Sequence, residues 1–148
     1  MKNASSRSAE MIGGESYIKL VKAYFSYLDM EYGFMRLAEK IQGNAFYGIE
    51  YTDGQKIVSV SYENITDYFT VIFFLLKEGE RPNYDDKEKT LHLDKLNVKV
   101  FSVADNDEIQ LNTKYFSKFK ATSETEKKLL KAAKELRLCL KYFDKLTI

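Results

Sequence analysis

Residues 46–63 read FYGIEYTDGQKIVSVSYE, and the fold turns on them. Asp53 and Gly54 tolerate positive φ and sit between two runs rich in β-branched and aromatic residues, 46–52 and 55–63. That spacing predicts two antiparallel strands joined by a two-residue type I′ turn. Within the second run Val58, Val60 and Tyr62 alternate with Ser59 and Ser61, which gives one dry face and one wet face. Beyond a turn at 64–67, the run YFTVIFFLL (68–76) is apolar on both alternating sets and reads as a central strand covered on both sides. Upstream, Phe34, Leu37, Ala38 and Ile41 fit a strand or a helical turn over 34–42, and the strand is the preferred reading. Residues 90–103 are read as a further strand, and 77–89, with the single proline Pro82 and the charged run 85–89, as an exposed loop.

Helices flank this meander. Ile18, Val21, Phe25, Leu28 and Tyr32 recur at three- and four-residue intervals, with Ser16 as N-cap and Gly33 as stop. Leu20, Tyr24 and Tyr27 make that helix apolar on a second side as well, so both flanks should be covered. At the other end Ser123 and Glu126 form a capping box ahead of a stripe of Leu129, Ala132, Ala133, Leu136, Leu140 and Phe143. The fold class is therefore α+β: an antiparallel β-meander of about four strands packed with an N-terminal and a C-terminal α-helix on one face. Helices on opposite faces are the alternative, and they would account for the doubly apolar strand 68–76.

At 148 residues the chain suits a single domain, placed at 15–148 behind a mobile N-terminal tail, 1–14. Hydrophobic residues make up 45% of it, enough for a core, which excludes a disordered protein. One cysteine, Cys139, closes no internal disulfide, no secretory signal is legible, and no apolar run approaches the roughly 20 residues of a membrane span, so a soluble cytoplasmic protein is expected.

Net charge is +1 but unevenly placed. From Lys114 onward 10 basic residues face 4 acidic ones, while 46–113 carries 7 against 13. One end should attract anions and the other cations. On the C-terminal helix Lys127, Lys131, Lys134, Lys141 and Lys145 lie opposite Leu129 at about 100° per residue. Leu138 and Tyr142 fall among them, so they either touch another part of the chain or are presented to a partner, including a second copy across a two-fold axis.

Cys139 falls near the apolar stripe, where a small buried hydrophobe is expected, and the single histidine, His92, has no sequence argument pairing it with that thiol. Asp105-Asn106-Asp107-Glu108 resembles a calcium loop but has Gln110 at position six, where glycine makes the turn, and Phe116 at position twelve, where glutamate ligates. Gly43 and Gly48 have phosphate-loop spacing without the following Lys and Ser or Thr. No catalytic, metal or cofactor site is expected. The tyrosines lie mainly in acidic and neutral segments, away from the basic helix, which points to packing or protein recognition rather than base stacking.

The succession of EYGF (31–34), AEKIQGNAFYGIEY (38–51), the Asp-Gly hairpin, KIVSVSYEN (56–64), YFTVIFFL (68–75) and SETEKKLLKAAKELRLCLKYF (123–143) resembles small bacterial α+β proteins, among them immunity proteins of polymorphic toxin systems. That resemblance implies a stoichiometric inhibitor that docks on a toxin and does no chemistry of its own. The acidic middle segment would meet a basic toxin domain, with Asp85, Asp86, Glu88, Asp105, Asp107 and Glu108 as steering charges and aromatics as anchors. A nucleic-acid-associated protein using the basic C-terminal helix is the alternative.

Overall fold

The structure, a computed structural model, describes residues 12–146. Most of the expected tail lies outside that range. Gly14 already opens the first helix, α1 (Gly14–Tyr24), with Gly13 rather than Ser16 at the N-cap. The expected helix then breaks: Phe25 and Ser26 turn the chain into a short α2 (Tyr27–Met30) before Gly33 stops it at φ +71°. A straight helix buries one stripe, whereas the break lets Tyr24, Phe25, Tyr27 and Leu28 all enter the core.

Five strands follow the meander order β1 (Met35–Gln42), β2 (Phe46–Thr52), β3 (Lys56–Glu63), β4 (Tyr68–Leu75) and β5 (Thr90–His92), each antiparallel to its neighbours. The β2–β3 turn differs from the expectation by one residue. Asp53 keeps negative φ and its Oδ1 accepts the N–H groups of Gln55 (2.9 Å) and Lys56 (3.0 Å), so Gly54 alone takes positive φ, +92°. An Asx turn replaces type I′ because the carboxylate satisfies both donors.

Register lines up a dry face: Tyr51, Val58, Phe73 and Leu91 oppose one another in one row, and Ile49, Val60 and Val71 in the next. All are buried in the cluster that also holds Tyr17, Val21, Leu129, Ala133 and Leu136, so the N- and C-terminal helices share this face. The opposite face of β4 carries Ile72 and Phe74, which cluster with Ile57. There the loop serves as the cover. Arg81 lies 5.1 Å over the Phe74 ring and donates to Glu50 at 2.7 and 3.0 Å, pinning 77–89 back across the sheet.

Residues 90–103 depart most from expectation. Only three form a strand; the rest is helix α3 (Leu93–Val103), followed by α4 (Asn106–Tyr115). Leu93, Leu96 and Val100 form its buried stripe, and that 3.6-residue period outweighs the Leu91/Leu93 alternation. The capping box of α5 (Glu124–Tyr142) is present as read, with Ser123 Oγ accepting from Glu126 N–H at 3.1 Å.

Candidate functional site

The stripe of α3 opposite its buried one is Asp94, Val98 and Phe101, which fall on one side of the wheel at 100° per residue. Val98 is 74% and Phe101 55% exposed, and Leu111 is exposed on the following helix, four residues after Asp107. Asp105 stands at the α3–α4 junction and Asp107 in the first turn of α4, so carboxylates bracket the apolar side chains. Acidic groups at that helix N-terminus are also favoured by its dipole.

The six carboxylates singled out in the sequence do not form one cluster. Asp85, Asp86 and Glu88 are exposed in the loop that leads into β5, while Asp105, Asp107 and Glu108 follow α3. The 11-residue helix between them spans roughly 16 Å. Asp86 has a local task, its Oδ1 accepting the N–H groups of Glu88 (3.1 Å) and Lys89 (3.2 Å). Glu108 pairs with Lys141 at 3.2 Å. Asp105 and Asp107 remain exposed at the start of α4, four and six residues beyond Phe101.

Leu138 and Tyr142 are not presented to a partner. They are 4% and 7% exposed, α3 packs along α5, and the Tyr142 hydroxyl accepts the Asp105 N–H at 3.0 Å. Of the two alternatives read for them, contact within the chain is the one realised, and a two-fold contact through this pair loses its basis. The basic face of α5 is partly neutralised too: Lys131 pairs with Glu135 and Lys141 with Glu108.

Cys139 is buried, and burial pushes its thiol up to about 12, well away from the thiolate a nucleophile needs. His92 is the N-cap residue of α3 and meets the Tyr84 ring edge-on. Among the described residues no three His, Cys, Asp or Glu side chains gather as metal ligands would. Nor, among them, is any helix long and apolar enough to cross a membrane. Sequence reasoning missed Val98 and Phe101 because 90–103 reads as strand, and Leu111 because no element is assigned to the residues around it. The signal that could have found them is the i, i+3, i+7 spacing of Leu93, Leu96 and Val100.

Fold and surface together define an α+β protein: a five-stranded antiparallel meander under a helical layer, with Val98 and Phe101 exposed on α3 and Leu111 on α4. Comparison with family models, curated proteins and solved structures finds no match.

Proposed function

We propose that this chain is a non-catalytic protein-binding module, an immunity-like inhibitor that docks on a basic toxin domain through α3 and α4. The observation that carries the reading is the exposure of Val98 and Phe101 on a stripe that begins at Asp94 and ends at Asp105 and Asp107. Interfaces join an apolar, aromatic centre to a polar rim, and the rim charges set the approach of the partner. The rim is acidic on the side of Asp94, Asp105 and Asp107, which favours a cationic partner there. The apolar anchors contribute to the lifetime of the complex and the carboxylates to its rate of formation.

The test asks whether the adjacent gene encodes a toxin domain and measures binding to its product by surface kinetics at two salt concentrations. Phe101→Ala should weaken binding by roughly 30-fold, mainly through faster dissociation. Combined Asp94→Asn, Asp105→Asn and Asp107→Asn should slow association and flatten its salt dependence. Tight binding untouched by both variants would remove this surface from the reading, and full toxin activity in the presence of excess chain would remove the reading itself.

A further inference from the structure

β3 pairs with β4 along all 8 of its residues, from Tyr68 to Leu75, but β5 pairs only with Ile72, Phe73 and Phe74. The shortfall comes from α3: at Leu93 the chain leaves the sheet and turns helical, where a strand continued past His92 would have run beside 68–71. Among the described residues no strand stands beside 68–71 on that side. The direction of the backbone groups there follows from the ladder. Leu75 N–H donates to the Lys89 carbonyl at 2.7 Å, on the β5 side. In an antiparallel sheet alternate residues turn their N–H and C=O to the same side, so Phe73, Val71 and Phe69 face that way too. Phe69 lies beyond the end of β5, and its N–H and C=O open onto the gap.

The gap is a walled slot. A cleft of about 330 Å³ is lined by 68–71 of β4, by Lys128, Lys131 and Ala132 of α5, and by Leu93 and Asp94 where β5 gives way to α3. Both lysines are already matched, Lys128 with Asp67 at 3.0 Å and Lys131 with Glu135 at 2.9 Å. Asp94 is the one charged group of the lining without an ion-pair partner among the described residues. The slot therefore offers unused main-chain groups and one carboxylate in excess.

We infer that this slot takes an extended segment of a partner protein, added antiparallel to β4 in the lane that β5 leaves, with a basic side chain beside Asp94. Main-chain bonds to Phe69 hold the segment, and its alternate side chains read the two faces of the sheet. The residue opposite Phe69 shares the face of that ring, which packs against the core, so it is small and apolar and lies against Ala132. Its neighbour opposite Thr70 stands nearer the end of β5 and carries the cation. At about 3.3 Å per residue, 68–71 gives the segment roughly 13 Å of edge. The edge of β4 takes no part in the surface of Val98 and Phe101, so slot and docking surface can fail separately.

The experiment titrates ¹⁵N-labelled protein with the peptide acetyl-Lys-Val-Lys-Val-Lys-amide. The Phe69, Thr70 and Val71 amides should shift saturably, with Kd below about 1 mM. Two methylated peptides isolate the main-chain bonds. Methyl groups on both valine nitrogens block the edge that faces β4 and should weaken binding by about tenfold or more, whereas a methyl on the central lysine nitrogen, on the other edge, should change it by less than about threefold. The same peptide with glutamate for lysine should bind at least about threefold more weakly, and Asp94→Asn should reduce that preference at unchanged melting temperature. No saturable shift, shifts centred away from 68–71, equal losses from the two methylated peptides, or a charge preference indifferent to Asp94→Asn would each overturn the assignment. Shifts of the same amides on concentrating the protein alone would overturn it too, since they would give the slot to a second copy of this chain.

Discussion

Arg137 on α5 holds Glu31, the residue that ends α2, in a two-bond fork: Nε donates to Oε1 at 2.8 Å and Nη2 to Oε2 at 3.0 Å. Its third nitrogen donates to Asn112 Oδ1 at 2.9 Å, and the guanidinium lies 3.8 Å above the Tyr115 ring. One side chain thus joins α2, α4 and α5. Asn112 is buried, so Arg137→Ala leaves its oxygen without that donor and should cost about 1–3 kcal/mol in chemical denaturation. Arg137→Lys keeps the charge but loses the fork and the stacking, so it should recover only part.

The same pair gives a pH dependence. Hydrogen bonds from Arg137 hold the Glu31 carboxyl below its ordinary value. A depressed folded pKa means stabilisation that is complete above the unfolded value, about 4.3, and lost as pH falls through the lower folded one. The stability gap between the native protein and Arg137→Ala should therefore narrow below roughly pH 4. A gap unchanged from pH 7 to pH 2 would show that the ion pair contributes nothing beyond packing.

Leu138 and Val98 form a contrast between two aliphatic residues on facing helices. Leu138 is buried and Val98 is exposed. Leu138→Ala should cost about 2–5 kcal/mol, whereas Val98→Ser should change stability by less than about 0.5 kcal/mol. Equal losses would mean that α3 does not cover α5 as described.

That contrast also marks where the sequence was legible. Val58, Val60 and Tyr62 on β3, the doubly apolar β4 and the Ser123–Glu126 box are set by neighbours within a few residues, and each took its expected form. Leu138 depends on α3, an element reached through Leu91 and Leu93, whose alternation mimics a strand before Leu96 and Val100 restore the helical period. A strand over 90–103 leaves Leu138 and Tyr142 without an evident cover and hides the outward side of Val98 and Phe101. The loop 77–89 was legible as exposed. Its role as the lid of the second sheet face rests on Arg81 reaching Glu50, a contact 31 residues apart that no local pattern encodes.

Cys139 should be inert in the native state. With its thiol pushed up to about 12, the thiolate fraction at pH 8 is roughly 1 in 10,000, against about a quarter for a free thiol. Reaction with a chromogenic disulfide at pH 8 should be slow in buffer and complete within minutes in denaturant. Rapid native labelling would place the thiol at the surface.

The helix cap gives a local check on α5. Ser123→Ala removes the acceptor for Glu126 N–H and should lower stability by about 0.5–2 kcal/mol. Glu126 accepts from the Thr122 and Ser123 N–H groups, which lower its pKa, so its share also fades on acidification. Ser123→Asp, which caps as well as serine, should hold near native stability at neutral pH.

Two buried tyrosines separate the value of a hydroxyl from that of its ring. Tyr27 donates to the Ala133 carbonyl at 2.8 Å, tying α2 to α5 through the core. The Tyr17 hydroxyl, equally buried against Tyr47 and Tyr62, has no hydrogen-bond partner among the described residues. Removing a satisfied hydroxyl loses its bond while the Ala133 carbonyl keeps its helical donor, so Tyr27→Phe should cost about 0.5–1.5 kcal/mol. Removing an unsatisfied one relieves a desolvated polar group while keeping the ring stack, so Tyr17→Phe should be neutral or stabilising by up to about 1 kcal/mol. Both variants keep nearly the same volume, which leaves the hydroxyl as the only variable. A Tyr17→Phe protein as destabilised as Tyr27→Phe would mean that the Tyr17 oxygen has a partner after all.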